Sequence, residues 1–240
     1  MTNDIGRAVR ILREGGLVAF PTETVYGLGA DASNASAVKK LYAVKRRPAD
    51  HPVIVHFDSG ARAFTWAREV PETAAHVRED LGADVELVLE GGPSEVGIES
   101  TIVDLSSGQP RVLRPGKISA ADIAALIGPV AEKREDSPRH SGGLERHYAP
   151  RTPAILVPTP ELDREIAKRK DKVAVLAFSR PDERVDFWLR MPRDAKAYAH
   201  KLYGALRELD SARCEAILIE APPDDAQWSA VLDRLRRACG

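Results

Sequence analysis

A chain of 240 residues can hold one large domain or two small ones, each with its own core. Apolar residues at 43%, charged residues at 30% and a formal net charge of -1 describe an ordinary water-soluble globular protein without a global basic field for nucleic acid. Cys214 and Cys239 are the only cysteines and show no CxxC or Cys/His spacing, which argues against a disulfide framework and a zinc site.

The N-terminal segment is polar and amphipathic rather than signal-like, and no apolar run approaches membrane-spanning length, so a cytoplasmic protein with no membrane partner is expected. Residues 3–14 place Ile5, Val9 and Leu12 at near-helical spacing, with Asn3 or Asp4 as N-cap and Gly15-Gly16 as the stop. The apolar run Leu17–Phe20 reads as a strand stopped by Pro21, followed by the hydroxyl-rich loop Thr22-Glu23-Thr24. In Tyr26-Gly27-Leu28-Gly29 two small residues let the backbone pass close to something. Ser33 or Asn34 can cap a helix that turns Val38, Leu41 and Tyr42 inward and Lys39 and Lys40 outward, and ends in Lys45-Arg46-Arg47-Pro48. Those cations could simply complement the helix dipole.

A second strand, Val53–Phe57, carries His56. Ala61–Arg68 and Glu72–Leu81 read as helices, and Asp84–Leu89 as a strand that ends in Gly91-Gly92-Pro93. Glu99-Ser100-Thr101 leads into the strand Ile102-Val103, and a turn at Ser106–Pro110 leads into Arg111–Arg114. A short helix, Ala120–Ile127, closes a first domain over 1–127. Residues 128–152 have linker chemistry, although His147 and Tyr148 are unusual there and read either as packing anchors or as ligand contacts. A second domain, 153–240, alternates strands (Ala154–Val157, Val173–Phe178, Ala216–Ile219) with helices (Glu161–Arg169, Asp194–Leu209, Trp228–Ala238). The pattern predicts a small Rossmann-like parallel sheet, and without a GxGxxG dinucleotide binding is not supported.

The polar residues of the first domain that could carry chemistry are Thr22, Thr24, Lys45, Arg47, His51, His56, Ser100, Thr101 and Arg114. Arginine grips phosphate in a bidentate way, lysine adds a point charge, and hydroxyls with an imidazole suit a small amino acid. The chain has no Walker A, HExxH, GxSxG or paired carboxylates, so the common hydrolase and P-loop readings lose support. The residues alone are compatible with a nucleotide and small-anion site or with a solvated cationic face.

The motifs PTETVYGLGADA, KRRPADHPVIVHF, VGIESTIVDL and RVLRPG resemble the YrdC-like family of threonylcarbamoyl-AMP synthases. HYAP in the linker, with AKAYAHKLYGALRELD and WSAVLDRLRRA in the tail, resembles the two-domain form of that family. The resemblance implies an α/β fold: a YrdC-like twisted mixed sheet with helices, linked to the small Rossmann-like domain. It implies a nucleotidyltransferase that joins L-threonine, bicarbonate and ATP, with Mg2+ on the ATP, into threonylcarbamoyl-adenylate and pyrophosphate. A downstream tRNA threonylcarbamoyl transferase then moves the group to the adenosine beside the anticodon.

By position in the motifs, Thr24, His56 and Ser100 match the threonine-binding residues. Lys45 and Arg47 match the basic pair at the nucleotide phosphates, and are the residues the resemblance makes catalytic. Arg114 matches a nucleotide-side contact, His51 stands where the family usually has Asn before Pro, and Tyr148 matches a linker segment that folds over the site as a lid.

One block of the family pattern is absent. Pro71-Glu72-Thr73-Ala74 runs straight into Ala75-His76-Val77, where family members carry a W-P-G-P-L-T stretch, a strand and a P-S-A-N segment. The missing S-x-N pair would complete both ligand sites, and Ser33-Asn34 has the wrong spacing to replace it. The join invites a single helix from Glu69 to Leu81. Two other readings follow. One is a catalytically impaired RNA-binding or regulatory member that uses Lys39, Lys40, Lys45, Arg46 and Arg47 on tRNA or double-stranded RNA. The other makes the tail only a scaffold for the lid.

Overall fold

A computed structural model describes residues 4–45, 53, 87–89, 91–105, 108–134, 137, 138, 140 and 149–239. The chain divides into two compact units, Met1–Glu99 with Ser137–Ser141 and Ser100–Asp136 with Gly142–Gly240.

In the first unit, helix α1 (Ile5–Arg13) starts at Asp4, whose carboxylate accepts the Arg7 N–H at 2.8 Å. Strand β1 (Val18–Phe20) pairs antiparallel with β2 (Gly27–Gly29) and parallel with β3 (Leu87–Val88), a three-stranded mixed sheet in the order β2-β1-β3. Helix α2 (Ala35–Val44) follows, with Asn34 Oδ1 accepting the Ser36 and Ala37 N–H groups. Successive residues of β1 serve opposite faces, as the pleat requires. Leu17 and Ala19 pack with Tyr26, Leu28 and Leu41, whereas Val18 packs with Ala8 and Leu87.

The outcome for α1 differs from the sequence expectation. Ile5 and Val9 are 70% and 40% exposed, and the buried stripe is Ala8 with the half-buried Ile11 and Leu12. Both stripes have helical spacing; the seat of α1 on Val18 and Leu87 selects the second. In α2 the outward Lys39 and Lys40 are as expected, while the deepest inward contacts are Ala37 and Leu41.

The second unit opens with another mixed sheet, in the order β4-β5-β6. Strand β4 (Ile102–Asp104) pairs antiparallel with β5 (Arg111–Arg114), which pairs parallel with β6 (Ala131–Glu132). Between them lies α3 (Ala120–Ile127), started by a capping box in which Ser119 and Asp122 each hold the other's backbone N–H. Strand β6 falls in the segment that reads as linker from sequence.

The rest of this unit is a parallel sheet, β7-β10-β8-β9, built from β7 (Ala154–Val157), β8 (Val173–Ala177), β9 (Phe187–Arg190) and β10 (Ala216–Glu220). Its central strands β8 and β10 are buried at every residue, the signature of a sheet covered on both faces. Helices α4 (Leu162–Ala167), α5 (Ala195–Ser211) and α6 (Ser229–Cys239) supply that cover. On α5 the inner face is the predicted Tyr198, Leu202, Leu206 and Leu209. Two details depart from the sequence reading. The helix expected over 161–169 is a 3-10 turn at Thr159–Glu161 followed by α4, and the edge strand β9 was not foreseen. The mixed sheets and the parallel sheet together are the α/β class that the sequence implied. The expected strand over 54–57, the helices over 61–68 and 72–81, and a merged helix over 69–81 lie outside the described residues.

Candidate functional site

The loop between β1 and β2 is folded by its own hydroxyls. Thr22 Oγ1 accepts the backbone N–H groups of Thr24 and Val25, each at 3.2 Å, and donates to the Val25 carbonyl. The two threonine hydroxyl oxygens lie 3.2 Å apart, and with the Thr22 proton on the Val25 carbonyl the Thr24 hydroxyl is the one left to donate between them. A second segment holds the loop from outside: Val96 N–H donates to the Glu23 carbonyl and Gly97 N–H to the Thr24 carbonyl, both at 3.1 Å. Thr24 is therefore fixed on both sides of its peptide yet stays partly exposed. A partly exposed threonine on rigid backbone suits recognition of a small polar ligand.

Tyr26 closes the loop, buried, with its hydroxyl accepting the Gly91 N–H at 2.8 Å. A side chain at Gly91 would run into the Pro21 ring, so a glycine lets strand end and loop touch. The neighbour of Gly27 and Gly29 is also identified. A Cβ at Gly29 would stand 2.7 Å from Phe20 Cε1, and one at Gly27 3.1 Å from Phe20 Cε2. The glycines share one face of β2, and the ring of Phe20, which is opposite Gly27 and diagonal to Gly29, covers them both. On the α2 side, Asp31 Oδ1 accepts the Ser33 hydroxyl at 2.6 Å and its N–H at 2.9 Å, and these bonds hold the Asp31 carboxyl below the usual carboxylate range. Lys45 is the C-cap of α2, with its N–H on the Leu41 carbonyl at 3.1 Å.

In the other unit, Ser100 is exposed and Arg114 is 1% exposed. Arg114 Nε donates to the Ser100 carbonyl at 3.0 Å, with its Nη2 3.5 Å from Ser100 Oγ. Thr101 Oγ1 donates to the Ile118 carbonyl at 2.6 Å. The Ser100-Thr101 segment is thus tied at both residues to the end of β5 and the bend beyond it. The other residues singled out from sequence, Arg47, His51, His56 and Tyr148, lie outside the described residues. Sequence reasoning passed over Arg234, which is 3% exposed on α6 and donates to the Pro115 carbonyl at 2.9 Å. The signal was available, because Arg234 follows Val231 by three residues on the stripe that continues to Ala238.

A family model described as "Threonylcarbamoyl-AMP synthase, C-terminal domain" matches residues 118–240, and one described as "Telomere recombination" matches residues 10–76 and 63–116. The threonylcarbamoyl-AMP synthase of Pyrococcus abyssi is 30% identical over 318 positions that span 97% of this chain and 93% of its own. That of Bacillus subtilis is 31% identical over 326 positions spanning 100% and 94%. A crystal structure of P. abyssi Sua5 complexed with L-threonine superposes with a TM-score of 0.86 at 27% identity, covering 98% of this chain and 94% of that one. A 240-residue chain cannot fill 318 aligned positions, so at least 78 belong to the relative alone. The two matched stretches of the first domain overlap at residues 63–76, around the junction where the family block is missing.

Proposed function

The chain belongs to the threonylcarbamoyl-AMP synthase family, and we propose that it makes threonylcarbamoyl-adenylate and pyrophosphate from L-threonine, bicarbonate and ATP. The observation that carries this reading is the likeness along 98% of the chain to a structure complexed with L-threonine. In this reading bicarbonate loses water to give CO2, the threonine amine captures it as a carbamate and releases a proton, and the carbamate oxygen attacks the α-phosphorus of ATP in line while pyrophosphate leaves. Phosphoryl-type transfer asks a protein for positioning and charge neutralisation rather than covalent chemistry. The residues match that demand: Thr24 and Ser100 on tied-down segments for threonine, with His56, and Lys45 with Arg47 for the phosphates. Arg114 and His51 serve the nucleotide side, and Tyr148 closes over a labile adenylate.

Magnesium enters with the nucleotide. It is carried on the phosphate oxygens of the ATP. Such an enzyme works in the cytoplasm and hands its product to a downstream tRNA threonylcarbamoyl transferase. Among the described residues no helix is long and apolar enough to cross a membrane.

The missing block removes the S-x-N contacts, so this chain should turn over more slowly than full-length relatives. The test is formation of threonylcarbamoyl-adenylate from labelled bicarbonate by the purified protein. Product that requires both ATP and threonine is expected; no product, with no heat of threonine binding, would overturn the reading. The same missing block favours a second reading, an impaired member that binds RNA through the exposed Lys39 and Lys40 with the cations that follow. Association with tRNA that weakens steeply with salt, without adenylate formation, would select it.

A further inference from the structure

Helix α6 carries a charge where its periodicity calls for an apolar residue. Val231, Leu235 and Ala238 form its buried stripe, and Arg234, between them, is buried as deeply. A guanidinium in that position is costly unless it is paired and its donors are used. Arg234 Nη1 meets both conditions, donating to Asp233 Oδ2 at 2.7 Å and to the Pro115 carbonyl at 2.9 Å. The same Asp233 carboxylate takes Arg237 Nε at 3.0 Å and Nη2 at 2.9 Å, which limits how far it can swing. The bond to Pro115 joins residues 119 apart in sequence.

Its target is one residue beyond Arg114. Pro115 leads the chain out of β5 into the bend at Lys117 and Ile118, so a bond to its carbonyl holds the peptide next to Arg114 at the start of that bend. From there two bonds reach the candidate substrate loop: Arg114 Nε to the Ser100 carbonyl and Thr101 Oγ1 to the Ile118 carbonyl.

We propose that Arg234 is a positioning residue, through which the C-terminal α/β module sets the Ser100-Thr101 segment by way of Pro115 and Arg114. The threonine side of this inference rests on the function proposed above; the mechanical side does not. It gives the C-terminal module a role at the substrate loop as well as any role in carrying the lid.

The test uses the full chain with Arg234→Met, which keeps the length of the buried stem and removes the donors, and Arg234→Lys, which can still donate to the Pro115 carbonyl. Two readouts are taken: L-threonine affinity by calorimetry, and solvent exchange of the Arg114 Nε–H by NMR, assigned with Arg114→Lys. In Arg234→Met the Arg114 Nε–H should lose its protection while amides of Val173–Ala177 keep theirs, and threonine should bind about ten-fold more weakly, with Arg234→Lys recovering most of both. A purely structural role would lower protection everywhere alike. Unchanged Arg114 exchange in Arg234→Met would overturn the proposal, as would unchanged threonine affinity where the parent binds threonine. A parent that binds none defeats the functional reading instead, and the exchange readout then decides alone. Should Arg234→Met fail to fold, Asp233→Asn, which frees the guanidinium to swing, should give smaller changes of the same sign, and no change at Arg114 would again count against the idea.

Discussion

The sheets β2-β1-β3 and β7-β10-β8-β9 show two ways of making a strand stay put. In the parallel sheet, β8 and β10 are five residues each, buried throughout, and the helices that cover them come from the same stretch of chain, 154–239. In the sheet that carries the Thr22–Thr24 loop, strands of two or three residues are held by a few close approaches: Phe20 over Gly27 and Gly29, Pro21 against Gly91, and the Tyr26 hydroxyl on the Gly91 N–H. One region relies on apolar area, which many side chains share. The other relies on shape at single positions, which one methyl group can spoil.

The largest way to break the comparison is in the area-driven sheet. Leu218 is fully buried between strands at the centre of its cluster, so Leu218→Ala should cost about 3 kcal/mol, read as a drop in the urea midpoint. Second is the shape-driven region. Gly91→Ala should destabilise the first unit by about 1–3 kcal/mol, since the new methyl meets a proline ring that cannot swing aside. Amides of β8 should keep their exchange protection in that variant; parallel loss there would mean the units are not energetically distinct.

The smallest effect sharpens the comparison at the entry to the parallel sheet. Asp210 on α5 accepts the N–H groups of Thr152 at 2.7 Å and Arg151 at 3.1 Å. Burial pushes its carboxyl up, but those bonds and the Thr152 hydroxyl more than reverse this, leaving it below the usual carboxylate value. A lowered folded value means that the contribution is complete above the unfolded pKa and fades as pH falls through the folded one. Asp210→Asn should therefore cost about 1 kcal/mol at neutral pH, kept small by solvent around a half-exposed group. The gap between the two thermal melting curves should close in acid; a gap that is constant with pH would remove the charge from the account.

Legibility of the sequence divides along the same line. The inner face of α5, the parallel strands β7, β8 and β10, and the caps of α1 and α2 to within one residue could be read because periodicity and capping chemistry are local. Strand β2 could not, because Gly-Leu-Gly has no strand preference and exists as a strand only where Phe20 lies over it. Of the candidate site, the motifs name Thr24, Ser100 and Arg114 but not what each touches. Arg114 reads from its motif as a nucleotide-side contact, and the fold buries it with its Nε on the Ser100 carbonyl.

By itself the sequence determined the α/β class, the family and the residue types available to threonine and phosphate, since each is written in spacing or in short motifs. Tertiary structure alone decided which stripe of α1 faces inward, what the glycines of β2 make room for, and that Arg234 reaches Pro115. The reason is physical: a pattern along the chain records that a face is apolar or a position small, whereas the partner that makes it so arrives from a distant part of the chain.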